Sequence, residues 1–310
     1  MRSVRVSLVA AGLLAVWAPV PAAQHFSDWD LPVNLGPGVN SDSADQSPEV
    51  SKDGLSLYFQ SDRPGGLGNA DLWVSRRDSK DQPWGAAVNL GDVVNSPAFE
   101  SRPSLSRDGH WLFFSSTRPG GLTPGLDLWA SYRDHIHDDF AWQTPVHLGG
   151  GVNAGGSSEI EASYVENDGG APLLYFVSNR PGGFGAFDVY VSELLASGDW
   201  SSATWVPELS STSPDQSVSV RFDGREAFIV RGNPPLPIGF DLWVSTRETT
   251  SDPWSAPVNL GPVVNTSVED SSAHISADRQ TLYFESIRAG GVGRIDLWMT
   301  TRAKRGPRDK

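Results

Sequence analysis

The 310-residue sequence contains no cysteine and only six histidines. The lack of cysteine excludes disulfides, thiolate metal ligands and thiol-based catalysis. A single large domain can be stable through burial alone, so disulfides are not required. Walker, dinucleotide-binding, Gly-x-Ser-x-Gly and His-Glu-x-x-His motifs are also absent, and we expect no required cofactor.

Basic residues are scarce, with 24 Lys and Arg against 37 Asp and Glu and a formal net charge of −13. A surface of this sign repels phosphate backbones, so we do not expect nucleic acid as a partner. The last cluster of basic residues, 304–310, is predicted to be a short disordered tail.

Apolar runs are short, and the main one lies near the N-terminus. Residues 6–20 are mostly apolar, follow Arg2 and Arg5, and precede the small residues Ala22 and Ala23. This pattern is typical of a signal peptide over residues 1–23, and the run is too short to span a bilayer comfortably. No cysteine stands at the cleavage site to accept a lipid. We therefore expect a periplasmic or secreted monomer without a membrane span.

The most informative feature is a motif that occurs five times, S-x-D-G-x-x-L-Y-F followed by S-x-R-P-G-G-x-G-x-x-D-L-W. The copies end at Trp73, Trp129, Tyr190, Trp243 and Trp298. Such a period indicates a repeat fold, in which no unit buries its apolar face alone. Each copy predicts four short antiparallel strands joined by Asp-Gly and Pro-Gly-Gly turns, which is a β-propeller blade.

The two ends of the chain complement each other. The fifth copy stops after Trp298, without the W…PVNLG segment that follows other copies, for example from Trp84. The segment from Trp29 to Gly36 supplies this sequence at the N-terminus. We therefore predict an all-β fold over residues 24–303. It is a single five-bladed β-propeller of four-stranded antiparallel blades, in which the N-terminal strand closes the last blade and removes a sheet edge.

The repeat resembles the PD40 (WD40-like, TolB-like) β-propeller repeat, and the resemblance covers almost the whole mature chain. It departs from TolB in lacking that protein's additional N-terminal domain, and from related envelope proteins in lacking an OmpA-like domain. The resemblance implies an envelope or secreted scaffold that binds a protein or a glycan.

An acidic residue precedes each Asp-Gly turn, at the predicted start of the innermost strand. The five acids are Asp45, Glu100, Glu161, Asp215 and Asp270, with spacings of 55, 61, 54 and 55 residues. One interpretation is a cation site at the channel mouth, which would suit Ca²⁺ or a cationic group of a partner. The other is that each acid caps backbone N–H groups of the blades.

Catalysis is an alternative because the acids are most numerous in two copies. Glu159 accompanies Glu161, and Glu269 accompanies Asp270, with His274 four residues later. Glycoside hydrolysis requires two carboxyl groups in one pocket, one protonated and one ionised. The candidate catalytic residues are therefore Glu159, Glu161, Glu269 and Asp270.

Three further patterns have a structural and a functional interpretation. The Arg of each R-P-G-G and the Asp of each D-L-W, such as Arg63 and Asp71, are expected to pair across their hairpin loop. His135 and His137 form the one local metal-like pair. The repeated tryptophans are expected to pack between blades, whereas the non-repeating aromatics are candidates for ligand contact: Trp111, Phe140, Phe184 and Phe240.

From the sequence alone, the favoured function is an exported, non-catalytic binding module for an envelope protein or surface polysaccharide. The nearly identical blades and the lack of a catalytic motif support it. The alternative is a carbohydrate-active enzyme, a glycoside hydrolase or lyase, with its carboxylates in an axial pocket.

Overall fold

A computed structural model describes residues 26–122, 125–167, 170–232 and 239–305 of the protein. The predicted signal peptide, 1–23, and the end of the predicted tail, 306–310, lie outside these residues. Lys304, where that tail was predicted to begin, still forms a bridge with Phe26. The described ranges contain no helix that is long and apolar enough to cross a membrane.

The described residues form five four-stranded antiparallel sheets, which confirms the predicted all-β, five-bladed propeller. The first strand of the described residues is β1 (Val33–Asn34). Blade 1 contains β2 (Asp45–Val50), β3 (Ser56–Ser61), β4 (Asp71–Arg76) and β5 (Val88–Asn89). Blade 2 contains β6 (Glu100–Leu105), β7 (Trp111–Ser116), β8 (Asp127–Tyr132) and β9 (Val146–His147). Blade 3 contains β10 (Glu159–Val165), β11 (Leu173–Ser178), β12 (Asp188–Glu193) and β13 (Thr204–Trp205).

The last two blades follow the same order. Blade 4 contains β14 (Asp215–Val220), β15 (Glu226–Gly232), β16 (Phe240–Thr246) and β17 (Val258–Asn259). Blade 5 contains β18 (Asp270–Ile275), β19 (Thr281–Ser286) and β20 (Asp296–Thr301), and its outer strand is β1. Val33 lies opposite Met299, and the Leu35 amide donates to the Leu297 carbonyl at 3.0 Å. The N-terminal strand therefore closes the ring, as predicted.

The hydrophobic core lies between neighbouring blades, because each sheet buries both faces against the next. Tyr58 and Leu72 of blade 1, for example, pack in one cluster with Phe114 and Trp129 of blade 2. The repeated tryptophans at the ends of the D-L-W motifs belong to these clusters, as expected from the sequence. Burial of large aromatic side chains between sheets stabilises the circular arrangement.

The innermost strands share an irregularity that shapes the axis. Four of them carry a non-glycine residue with positive φ two positions after the first acid: Ser47 (53°), Arg102 (55°), Glu161 (56°) and Ser272 (43°). The strand register shifts at these positions, which identifies β-bulges. Positive φ is unfavourable for residues with a side chain, and it occurs often where a protein positions functional groups.

Candidate active site at the propeller axis

The acids that begin the innermost strands are fully buried, and each is bound by an arginine. Asp45, Glu100, Glu159, Asp215 and Asp270 all have 0% exposure. Their partners are Arg63 (2.5 Å), Arg118 (3.1 Å), Arg180 (3.1 Å), Arg231 (2.7 Å) and Arg288. Four of these arginines follow the second strand of the same blade, and Arg231 lies near the end of that strand in blade 4. The pairs therefore join two parts of one blade.

The same acids also accept backbone N–H groups from the loop that precedes them. Asp45 accepts the amide of Ser41 at 2.6 Å, and Asp270 accepts that of Thr266 at 2.6 Å. The corresponding amides in the other blades belong to Ser96, Ala154 and Ser211. This is the geometry of the backbone-capping interpretation. An added cation would have to compete with a partly buried guanidinium at each of these carboxylates.

The expected pairing across the hairpin loop is wrong. Arg63 turns back to Asp45, whereas Asp71 accepts the amides of Leu67 and Gly68 at 2.5 and 3.0 Å and the side-chain amide of Asn89. The loop is therefore ordered by bonds from its own backbone to Asp71. The arginine is left to pair with the acid that begins the innermost strand.

Glu159, and not Glu161, is the acid of blade 3 that is equivalent to Asp45. Glu159 lies opposite Ser178 and binds Arg180, in the same way that Asp45 lies opposite Ser61 and binds Arg63. With Glu159 the spacings become 55, 59, 56 and 55 residues, which is closer to a constant period. Glu159 and Asp270 therefore each join two parts of their own blade.

Glu161 instead lies on the bulge and forms an ion pair with Arg102 of the neighbouring blade. The Arg102 guanidinium is 2.6 Å from the Glu161 carboxylate and also donates to the Gln216 carbonyl at 3.1 Å. These contacts join blades 2, 3 and 4 at the axis. The Arg102 and Glu161 side chains are 22% and 13% exposed, so the pair is largely shielded from water but remains accessible.

Two further glutamates of blade 5, Glu285 and Glu269, interact electrostatically with this pair. Glu285 is 4% exposed and accepts the Ser47 amide at 2.7 Å. The pKa of Glu285 is raised to about 7, mainly by burial; Glu161 and Glu269 also raise this pKa, and Arg102 and the Ser47 amide oppose the shift. Burial also raises the pKa of Glu269, against the opposing effect of Arg102. The four side chains Arg102, Glu161, Glu269 and Glu285 are called the axial cluster below.

Sequence reasoning missed Arg102 and Glu285, although aligning the five copies would have identified both. Arg102 stands where blades 1 and 5 have Ser47 and Ser272. Glu285 stands where the other blades have Gln60, Ser115, Val177 and Val230. A charged residue at a position that is polar or apolar in the other blades interrupts the repeat at the axis.

A narrow cavity of about 20 Å³ lies beside Glu161 and is also lined by Glu49, Tyr164 and His274. A volume of this size holds about one water molecule. The His274 Nδ1 is 2.6 Å from the Glu49 carboxylate, which in turn accepts the Leu105 amide at 2.9 Å. Within the described residues, the buried His274 Nε2 has no hydrogen-bond partner. The polar interior therefore extends along the axis below the axial cluster.

The His135 and His137 pair does not lie on a strand, as its metal-binding interpretation assumed. Both residues are exposed and belong to a turn after β8, in which the His135 carbonyl accepts the Asp138 amide. In the described ranges, no three His, Asp or Glu side chains are grouped so that they could hold a metal ion. In the same insert, which lies between β8 and β9, Asp139 is buried and packs against blade 1.

No protein-family model and no curated protein matches the chain, so membership of the PD40 family stays a prediction. Solved structures do match. The catalytic domain of a GH62 α-L-arabinofuranosidase from Coprinopsis cinerea gives a TM-score of 0.57 at 12% identity, over 92% of this chain and 98% of that one.

An α-L-arabinofuranosidase from Lactobacillus brevis gives a TM-score of 0.60 at 12% identity, over 87% and 92% of the two chains. TolB from Acinetobacter baumannii gives 0.50 at 15% identity, over 87% of this chain and 57% of TolB. At these identities the similarities show the fold that the proteins share.

Proposed function

We propose that this protein is a glycoside hydrolase whose reaction centre is the axial cluster. The observation that carries the proposal is that Glu285, a buried glutamate with a raised pKa, lies within electrostatic range of Glu161, a glutamate that is ion-paired with Arg102. Glu285, with a pKa of about 7, holds a proton over much of the neutral range. Glu161 forms an ion pair with Arg102 at 2.6 Å, and its side chain is 13% exposed. An acid and a carboxylate in one pocket are what glycoside hydrolysis requires.

Each member of the cluster then has a role that follows from its contacts. Glu285 donates the proton to the leaving oxygen, because burial raises its pKa to about 7. Glu161 acts as the base or nucleophile, and Arg102 orients it from the neighbouring blade. Glu269, which is half-buried, lies where it adjusts the charge of the other two. This assignment keeps Glu161 and Glu269 from the sequence-based candidates and replaces Glu159 and Asp270 with Glu285.

The structural comparisons support a carbohydrate-active enzyme more than the non-catalytic module favoured from the sequence. The similar structures include arabinofuranosidases and endo-arabinanases over most of their length. The similarity to TolB is weaker and covers 57% of that chain. Arabinan and a chromogenic α-L-arabinofuranoside are therefore the first substrates to test.

A non-catalytic binding module remains the second candidate function. It is favoured by the low exposure of Glu285, 4%, which leaves little of this side chain for a substrate to contact. In that case the axial cluster would only stabilise the ring, and the partner would be an envelope protein or surface polysaccharide. Export of the chain and a monomeric state belong to both proposals.

Turnover by matched variants separates the two functions. Glu161→Gln and Glu285→Gln keep the shape of the side chain and remove the ionisable group, so each is expected to lower kcat by at least about 100-fold. Glu166→Gln is the control, because its side chain is 43% exposed and pairs with Arg107 on the surface. Equal turnover by all three variants, or binding of a polysaccharide without turnover by the wild type, would favour the binding module.

A further inference from the structure

Four of the five blades bury an arginine against an outer tryptophan, at the residue that follows the third strand. The guanidinium carbon lies 4.1 to 4.4 Å from the centroid of the tryptophan ring. The pairs are Arg77 on Trp84, Arg133 on Trp142, Arg247 on Trp254 and Arg302 on Trp29. A desolvated cation over an indole face is a favourable arrangement.

Each of these arginines also donates hydrogen bonds at the junction with the preceding blade. In blade 2, Arg133 donates to the Gly109 carbonyl at 2.8 Å and to the Tyr58 hydroxyl of blade 1 at 3.0 Å. Arg77 and Arg247 donate in the same way to a carbonyl of their own blade and a tyrosine of the preceding blade. The junction therefore provides a site for a guanidinium group.

Blade 3 has the site without the arginine. Leu194 donates its amide to the Pro172 carbonyl, as Arg77 does to Leu55, so Leu194 is the equivalent residue. Trp200 is the equivalent of the outer tryptophan Trp84. The amide of the next residue, Ser201, donates to the Glu193 carbonyl, just as the amide after Trp84 donates to the Arg76 carbonyl. The remaining wall, Phe113 of blade 2, stands in place of a tyrosine.

A cavity of about 380 Å³ occupies this junction between blades 2 and 3. Its walls include Trp111, Phe113, Tyr164 and Trp200. Phe113 stacks on Tyr164 at 5.4 Å, and Tyr164 meets Trp200 edge-on at 6.4 Å. Trp200 is half-buried and Trp111 is 36% exposed, whereas Trp84, Trp142 and Trp254 are buried. Trp111 and Trp200 therefore present aromatic surface to solvent at this junction, whereas Phe113 is buried.

The charges around the cavity favour a cation. The carboxylate-bearing residue Asp199 lines it. Burial raises the pKa of Tyr164, and the nearby charges of Glu166 and Asp108 raise it further, which places both acids within electrostatic reach of the cavity wall. His147 also lines the cavity and lies 3.2 Å from the Asp127 carboxylate, and Arg107 is paired with Glu166 at 3.5 Å.

We propose that the junction between blades 2 and 3 binds an arginine side chain of a partner peptide or protein. The guanidinium would stack on Trp200, as the protein's own arginines do at four other junctions, with Asp199 as its counter-charge. The site is separate from the axial cluster, and the proposal does not depend on hydrolase activity.

Titration of the full-length mature protein with acetyl-arginine-amide tests the proposal. Binding is measured by tryptophan fluorescence and by calorimetry. We expect saturable binding that is at least about tenfold weaker for acetyl-citrulline-amide, which has the same shape without the charge. Arabino-oligosaccharides provide the competing ligand class. Preferential binding of these sugars at the junction would overturn the proposal.

The decisive variant is Leu194→Arg, which supplies the missing arginine from within the chain. It is expected to abolish binding of acetyl-arginine-amide and to raise Tm, because it restores the contacts of the other blades. Leu195→Arg is the matched control: it adds the same charge at the next residue, which is 43% exposed, and should bind as the wild type does.

A second variant keeps the proposal testable if Leu194→Arg does not fold. Trp200→Leu removes the aromatic face and should weaken binding of acetyl-arginine-amide about tenfold at an unchanged fold by circular dichroism. No saturation by the wild type, equal binding of arginine and citrulline, or binding that survives both variants would each overturn the proposal.

Discussion

Arg102 and Glu161 meet at 2.6 Å from two neighbouring blades, and both have positive φ. The bulge that gives each residue this conformation also interrupts the regular ladder of its innermost strand. Because Ser47 and Ser272 share the conformation, the bulge belongs to the repeat, whereas the two charges belong to this site alone. The protein thus uses a shared backbone feature to bring an unrepeated ion pair to the axis.

Replacement of Arg102 by methionine is expected to destabilise the protein by about 2 kcal/mol at neutral pH, since it leaves partly buried carboxylates without their cation. Arg102 lowers the pKa of Glu285 and Glu269, so both values should rise further in the variant. The loss should therefore be smaller near pH 4, where these carboxyl groups are protonated in both proteins. Chemical denaturation of both proteins at neutral pH and near pH 4 measures the loss of stability.

Arg107→Met provides the control for this variant, because its pair with Glu166 has 46% and 43% side-chain exposure. Surface pairs contribute little, and we expect a change below about 1 kcal/mol. An equal loss in the two variants, or a loss in Arg102→Met that does not depend on pH, would contradict the electrostatic role of Arg102.

Glu285→Gln is expected to stabilise the folded protein at neutral and alkaline pH relative to the wild type. The pKa of Glu285 is raised from its ordinary 4.5 to about 7 in the folded state. The contribution of protonated Glu285 to stability is therefore complete below its unfolded pKa, and it is lost as the pH rises through about 7. The difference between variant and wild type should grow between pH 4.5 and 7, to about 3 kcal/mol at most, and then level off.

Thermal denaturation of both proteins from pH 4 to 9 measures this difference. Glu166→Gln, at an exposed position, should show no comparable trend. A flat difference for Glu285→Gln over this range would mean that the carboxyl group titrates near its ordinary pKa. The assignment of Glu285 as the proton donor would then be wrong.

The propeller could be predicted because its signals are local and repeated. The Asp-Gly and Pro-Gly-Gly turns define strand ends, and the match between Trp29–Gly36 and Trp84–Gly91 defines the closure, which the pairing of Val33 with Met299 confirms. The axial cluster was harder to predict because it depends on which side chains leave the repeat. A repeated acid, such as Asp45, attracts attention in the sequence although it only caps its own blade.

The error at Glu159 has a physical cause. On a regular strand, Glu159 and Glu161 would point to the same face because they are two residues apart. Their spacing from the acids of the other blades therefore does not distinguish them. The bulge breaks that alternation, so Glu159 meets Arg180 inside the blade and Glu161 meets Arg102 at the axis. Bulge positions are set by tertiary packing, which periodicity alone does not report.

Asp139→Asn is expected to destabilise the protein by about 3 kcal/mol at pH 7, because it breaks a buried ion pair. Asp139 and Arg133 are both 2% exposed and lie 2.9 Å apart, and the Tyr58 hydroxyl and Ser56 hydroxyl also donate to the carboxylate. Burial alone would raise the pKa of Asp139, but the bonds from Arg76, Tyr58 and Arg133 together lower it.

The pH dependence of this variant follows from the lowered pKa. The contribution of Asp139 is present above its unfolded pKa and is lost as the pH falls through the folded value. The stability difference should therefore be largest above about pH 4 and should shrink in stronger acid. Asp134→Asn, at an exposed position in the same insert, is the control. A similar effect of both variants would show that the insert contributes through its backbone alone.

Removal of the closing strand is expected to destabilise the ring more than its two-residue length suggests. A chain that begins at Gly38 lacks β1 and the Trp29 ring on which Arg302 stacks at 4.4 Å. The edge of β20 then loses its partner and is exposed to pairing with other chains. We expect a loss of about 3 kcal/mol or more and concentration-dependent aggregation, measured by denaturation and light scattering. A chain that begins at Phe26 keeps these contacts and should behave as the mature protein. If the two truncated chains are equally stable and monomeric, closure by the N-terminal strand contributes nothing to the stability of the ring.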